Sequence, residues 1–297
     1  MLRPLVFLIV SFLITSGTFA QGNYDLLYTT NGTKEVKIKE LGFNSVKYIH
    51  PNEETVYTIS KYQVEKIVFA SGREEIFDSP IKEVGGLNDF KKVYVTYNTD
   101  DIAGLIPRGE LFSKAIGATT LSGINQVNNR ALDKLKIEAA MVGANVVFIG
   151  STFQRGNQYG GESQAGSATQ TSFSGTAYST HKIDPQSLKA MIETRSFHHY
   201  QTHKLNRNSW SPDRTISSKF EKDGKPITFK IDEVIENEGE LFVKVANIPS
   251  KVKELKVVYA DDEKLILMER NDTATINYLL ITEENKFFKN IANRLIF

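Results

Sequence analysis

The chain has 297 residues, with 36 Lys and Arg against 35 Asp and Glu, and no cysteine. Near-neutral charge excludes a general nucleic-acid binder, which carries a basic surface. The missing cysteines exclude a disulfide framework, a thiol nucleophile and a lipid attached at a cysteine, so the core has to come from burial alone.

Residues 1–20, MLRPLVFLIVSFLITSGTFA, read as a secretory signal peptide. Arg3 supplies the positive start, Leu5 to Ile14 the apolar stretch, and Thr18 and Ala20 the small residues before a cleavage point at Ala20-Gln21. The run is shorter than the roughly 18 apolar residues a spanning helix needs. No later segment is apolar enough to span a bilayer, so no transmembrane helix is expected in the mature chain. Cleavage removes Arg3 and no acid, which leaves 35 basic residues facing 35 acidic ones. The expected location is the periplasm or cell envelope.

From Tyr24 to Phe77 apolar and charged residues alternate: Val36 and Ile38 between Glu35, Lys37 and Lys39, then Val46 and Tyr48, Val56 to Ile59, and Val64 to Phe69. Asn31-Gly32 and Ser71-Gly72 fall at turn positions. The pattern predicts an antiparallel β module of five or six strands over 21–80. The segment YDLLYTTNGTKEVKIKELGFNSVKY, with VYTISKYQVEKIVFASGREEIF after it, resembles a β module at the start of many exported Bacteroidota-type proteins. That resemblance implies an envelope address and no particular activity.

Residues 78–90, with a proline and paired glycines, read as a linker, and Lys92 to Tyr97 as a strand. Val127, Ala131, Leu135, Ala139 and Val142 mark one side of a helix, with Gln126, Arg130, Asp133, Lys134 and Glu138 over much of the rest. Gly143 suits the left-handed position that ends a helix. Asn145 then leads into Val146 to Ile149, a buried strand. A long Gly/Ser/Gln-rich loop, 154–168, precedes a second strand near Thr169 to Ser179.

The order of helix, GANVV, loop and GTAYS resembles the YbjQ-like family, which carries a heavy-metal-binding label, and the domain of the stress-sensor lipoprotein RcsF. The matching residues are Ala131, Leu135, Ala139, Gly143, Ala144, Asn145, Val146, Val147, Gly175, Thr176 and Ala177, within about 91–180. The resemblance implies an α/β domain over 88–182 and a ring-like homo-oligomer. The stress sensor has cysteines and a lipid anchor, and this chain has neither.

DPQSLKAMIET predicts a short helix capped by Asp184 with Pro185 at its first position. Residues 183–213 form a helix and connector, with Trp210 in a turn-rich junction. Residues 214–297 alternate again and predict a sandwich-like β domain. The fold class expected is α+β: an N-terminal antiparallel β module, a central α/β domain with one long helix on a small sheet, and a C-terminal β domain.

Candidate chemistry is sparse. In FHHYQTHK, His199 and His203 stand one turn apart if helical and could then share a metal ion, with His198 beside them. If extended they lie about 13 Å apart, at ~3.3 Å per residue, too far for one ion. The apolar stripe fades after Ile192, which favours the extended form. The Gly-rich loop lacks the following helix and the Gly-Lys-Ser/Thr of a phosphate cradle. Asp100 and Asp101, with Arg108 and Glu110 downstream, could build an acid–base site, whereas Asp261, Asp262 and Glu263 read as a solvated turn. Asp272 to Ala274 resembles a short O-glycosylation signal of Bacteroidota-type envelope proteins. No catalytic cluster and no cofactor are expected. The reading is a non-catalytic interaction, assembly or sensing component whose partner is an envelope protein or a second copy. A small-ligand or metal-binding protein is the alternative, and a hydrolase with a site assembled from distant residues the third reading.

Overall fold

The computed structural model describes residues 24–118, 122–162, 166–216, 227–246, 250 and 252–288. The expected signal peptide and its cleavage point lie outside them. The described chain is mostly β, with several antiparallel sheets and few helices.

Alternation over the first module produces β1 (Asp25–Thr29), β2 (Gly32–Leu41), β3 (Ser45–Ile49), β4 (Tyr57–Ser60), β5 (Val64–Val68) and β6 (Glu74–Ile76). Their spatial order is β4-β3-β2-β1-β5-β6, antiparallel throughout. Leu27, Val36, Val46, Tyr48, Ile59, Val64 and Ile67 form the core of the module. Asp25 explains the acidic start: its carboxylate accepts from the backbone N–H of Ile38 and of Ala70, both at 2.8 Å.

The expected linker is a packed strap. Val84 is buried in the central core, the carbonyl of Lys82 accepts from Asn145 Nδ2, and that of Gly85 accepts from Lys264 Nζ. Then follow β7 (Tyr94–Thr96), β8 (Ile106–Ile116), helix α1 (Ile124–Met141), β9 (Val146–Arg155) and β10 (Gln170–Ser179). They form a four-stranded sheet in the order β7-β9-β10-β8, with β7 parallel to β9 and the other pairs antiparallel. The helical stripe is realised as expected: Val127, Ala131, Leu135, Ala139 and Val142 are all buried. Strand β8 was hidden from pattern reading. It carries Pro107 and Gly109, buries the small residues Ser113 and Ala115, and exposes Phe112 and Ile116.

The remaining elements are α2 (Pro185–Thr194), β11 (Phe197–Asn206), β12 (Asp213–Ile216), β13 (Thr228–Phe229), β14 (Ile231–Asn237), β15 (Glu240–Val245), β16 (Glu254–Ala260), β17 (Lys264–Arg270) and β18 (Ala274–Ile281). Asp184 caps α2 by accepting from the backbone N–H of Ser187 at 2.7 Å. The pairing runs unbroken as β12-β11-β18-β17-β16-β15-β14, with β13 also on β11. These strands are therefore paired as one sheet, broadly compatible with the sandwich-like domain expected. Leu188 of α2 packs on one side with Leu255, Leu267 and Leu280. On the other side Val258, Ile266 and Met268 join the same core as α1.

Helix α1 is thus buried between two sheets, and its exit fixes their spacing. Ala144 N–H donates to Ala139 O at 2.9 Å and Gly143 N–H to Ala140 O at 3.3 Å, a Schellman closure. Gly143 has φ +77°, and a Cβ there would stand 2.4 Å from the carbonyl oxygen of Val258 on β16. Gly143→Ala therefore meets both a left-handed backbone, about 1–2 kcal/mol, and an overpacked contact, about 1–3 kcal/mol. Urea denaturation is expected to show a loss of about 2–5 kcal/mol, far above the ~0.5 kcal/mol of an ordinary surface substitution.

Candidate functional site

Two constellations surround the ends and flank of α1. The first is Asn145, 6 % exposed. Its Oδ1 accepts from Thr180 N–H at 3.0 Å, and its Nδ2 donates to Thr180 Oγ1 at 2.7 Å and to Lys82 O at 3.2 Å. Its backbone N–H donates to Tyr178 O, and its carbonyl accepts from Tyr94 N–H. Helix exit, β7, β10 and strap all meet on this one residue. Gly175 and Thr176 lie opposite, where β10 steps past β9. A Cβ on Gly175 would come within 2.3 Å of Phe148 O, so the glycine permits the close approach. The residues of the GAN and GT motifs hold backbone together.

The second constellation is a cleft of about 750 Å³ between β8, α1 and the ends of β11, β17 and β18. Its walls include Phe112 and Lys114 from β8, Lys134 and Glu138 from α1, Trp210 after β11, and Arg270 at the end of β17. Lys134 is buried and donates to the carbonyl of Arg207 at 2.8 Å. Arg270 donates to the carbonyl of Glu110 at 3.2 Å. Trp210 is 46 % exposed at the rim, with the Arg130 guanidinium 5.1 Å from its ring centre. Four cations, Lys114, Lys134, Arg207 and Arg270, face three acids, Glu110, Glu138 and Asp272.

Burial lifts the Glu138 carboxyl from its ordinary value to about 7, against the smaller opposing pull of Lys134 and Arg270. Helical spacing places Glu138 on the polar side of α1, but the C-terminal sheet covers that side. Half-protonated near neutrality, Glu138 can accept or donate a hydrogen bond within the cleft.

The histidine segment is strand β11, and the ladder decides its chemistry. His199 pairs with Leu280, Gln201 pairs with Leu279, and Tyr200 is the extra residue of a bulge between them. The bulge reverses the faces beyond it. His199 therefore joins the side of Phe229 and Tyr278, with its Nε2 2.9 Å from Thr202 Oγ1. His203 pairs with Asn277 on the α1 side. The two rings lie on opposite faces, which corrects the shared face expected for a plain strand. His198 lies against Phe288, with ring centres 4.7 Å apart. Burial, with a smaller push from Arg214, lowers His203 to about 4 and keeps it neutral. Among the described residues no three His, Asp or Glu side chains converge as metal ligands.

The acid–base cluster does not assemble. Asp101 is buried and accepts from Thr96 Oγ1 at 2.6 Å, Tyr94 OH at 3.2 Å and Asn44 Nδ2 at 3.0 Å. Arg108 donates to the carbonyl of His181, while Glu110 lines the cleft instead. In the acidic turn Asp261 accepts from the N–H groups of Glu263 and Lys264, both at 2.9 Å, as a turn residue does. The described part of the Gly-rich loop bridges Gln158 to Ser167 and returns into strand β10, with no helix after it. Asp272 and Thr273 sit in the β17–β18 turn, where Asn271 Oδ1 accepts from the N–H groups of Thr273 and Ala274.

Comparison with family models, with curated proteins and with solved structures finds no match.

Two outcomes follow. A carboxyl raised on folding stabilises fully below its unfolded value of 4.5, and that contribution is lost as pH rises through about 7. His203 acts oppositely: its contribution is present above 6.5 and lost as pH falls toward about 4. The difference between Glu138→Gln and wild type isolates the first. Urea titrations are expected to show the variant gaining stability, on the order of 3 kcal/mol at most, between pH 5 and 8. For the histidines, zinc calorimetry is expected to give the same isotherm for wild type and the His199→Ala/His203→Ala variant. A tight site lost in the variant would contradict the opposite-face geometry.

Proposed function

We propose that this chain is a non-catalytic recognition component of a bacterial envelope, which takes its partner in the cleft between β8, α1 and the C-terminal sheet. The carrying observation is that cleft: about 750 Å³, walled by rigid elements, rimmed by Trp210 and Phe112, and holding four cations against three acids. Aromatic anchors beside fixed charges are the usual makeup of a binding surface. Among the described residues its walls contain neither His nor Cys. Glu138, lifted to about 7, has the poise of a general acid, and a role in sensing partner or pH is the simpler use for it.

Export rests on the signal pattern of residues 1–20, and the envelope address also on the resemblance of the N-terminal module. The central domain is proposed as YbjQ-like on the order of helix, GAN, strand, loop and GT strand. A metal- or small-ligand-binding protein is the second reading, favoured by the small cavity of about 80 Å³ at His203 and Asn277. There His203 Nε2 and Asn277 Oδ1 have no hydrogen-bond partner among the described residues.

A photo-cross-linking amino acid at Trp210 tests the first reading in cells. One recurrent envelope partner is expected there, and none from Phe43, an exposed residue of the N-terminal module. Capture from both positions alike, or from neither, removes the cleft from the reading.

A further inference from the structure

The cleft has an unusual floor. Strand β8 ends the four-stranded sheet and, among the described residues, has β10 as its single strand neighbour. In an antiparallel strand alternate residues direct both N–H and C=O to the same side. Gly117 N–H bonds to Thr169 O on the β10 side, whereas the carbonyls of Glu110 and Ile116 accept from Arg270 and Arg130 on the other. Glu110, Phe112, Lys114 and Ile116 therefore present their backbone to the cleft. The two arginines occupy the ends of this edge. Among the described residues no group bonds to the outward amides or carbonyls of Phe112 and Lys114.

We propose that β8 receives an extended segment of a partner protein as a fifth strand of this sheet. This rests on the binding reading above and names its partner class. From Glu110 to Ile116 the edge runs about 20 Å at ~3.3 Å per residue, with its end carbonyls held by Arg270 and Arg130 and the free groups on Phe112 and Lys114 between them. Side chains of an added strand alternate as those of β8 do. One set lies on the face of exposed Phe112 and Ile116, beside the aliphatic stem of Lys114 between them, which suits aliphatic residues. The other points toward α1, where Lys134 stands and Glu138 is largely protonated below neutrality, which suits acids. The segment is therefore one of alternating acidic and aliphatic residues. A second copy of the chain is disfavoured, because its own β8 would have to pass between the walls made by Asn206–Asn208, Trp210 and Arg270–Asp272.

The test is fluorescence anisotropy of a labelled ten-residue peptide alternating Glu and Val, titrated with the purified protein. Saturable binding is expected, weakened at least about tenfold when Lys replaces Glu. Lys114→Pro removes an outward N–H without touching the β10 ladder and is expected to weaken binding about tenfold or more beyond Lys114→Ala, which removes the charge and keeps the N–H. Circular dichroism melts establish that both variants fold. Should the proline variant not fold, a change in the peptide carries the test. Of two peptides N-methylated at every Val or at every Glu, one is expected to keep its affinity and the other to lose it, since only one edge of the added strand faces β8. Equal behaviour of the two overturns strand addition. So does a folded Lys114→Pro protein that binds normally, or a β8-dependent dimer in light scattering that excludes peptide. If the Trp210 cross-linker still captures its partner in the Lys114→Pro background, strand addition fails and the cleft reading stands. Absence of capture in wild type removes both.

Discussion

A buried side-chain amide governs this architecture. Asn145 brings two donors and an acceptor into a water-poor junction, and each left unpaired there costs about 1–3 kcal/mol. The end of α1, the β10 terminus and the strap before β7 must all arrive together to satisfy it, as their hydrogen bonds to its side chain and backbone require. Because polar bonds are directional where apolar contacts are not, this residue sets the geometry that the surrounding aliphatic core then fills. Gly143 completes the constraint by letting Val258 approach more closely than any Cβ permits.

From that junction the long helix acquires two partners. Its apolar stripe meets the four-stranded sheet, and its flank meets the C-terminal sheet through Val258, Ile266 and Met268. Asn277 Nδ2 donates to the last helical carbonyl, Met141 O, at 3.0 Å and fixes the second contact. Covering a charged flank strands Lys134 and Glu138 in a half-dry groove. Lys134 donates to a carbonyl, and Glu138 responds by holding its proton to higher pH. The perturbed carboxyl is thus a by-product of how the two sheets close on one helix, and it lies where the free edge of β8 is reached.

The local elements were largely legible. Alternation from Tyr24 to Phe77 marked the six-stranded module, the 3.6-residue stripe marked α1, and Asp184 with Pro185 marked α2. Strand β8 was not, because Pro107, Gly109 and small buried residues erase the alternation, and its exposed Phe112 and Ile116 invert it. The site was not legible either. Glu138, Lys134, Trp210 and Arg270 are far apart in sequence and carry no spacing signal. Only the charged residues covering the helix flank offered a hint, and that pattern is the ordinary mark of a solvated face. The histidines show the opposite failure: a conspicuous cluster whose single bulge at Tyr200 sends His199 and His203 to different faces.

What the sequence by itself determined was local: periodicity set strand or helix, and glycine and asparagine after Val142 set where the helix stops. These follow from backbone sterics and short-range hydrogen bonding, which act over a few residues. What only the tertiary structure decided was which surfaces are covered. Burial of Glu138 and the packing of the C-terminal sheet on α1 depend on contacts between residues more than a hundred positions apart, and the open edge of β8 on a pairing with β10 across more than fifty. Desolvation and strand pairing are properties of neighbours in space, and no short window of sequence contains them.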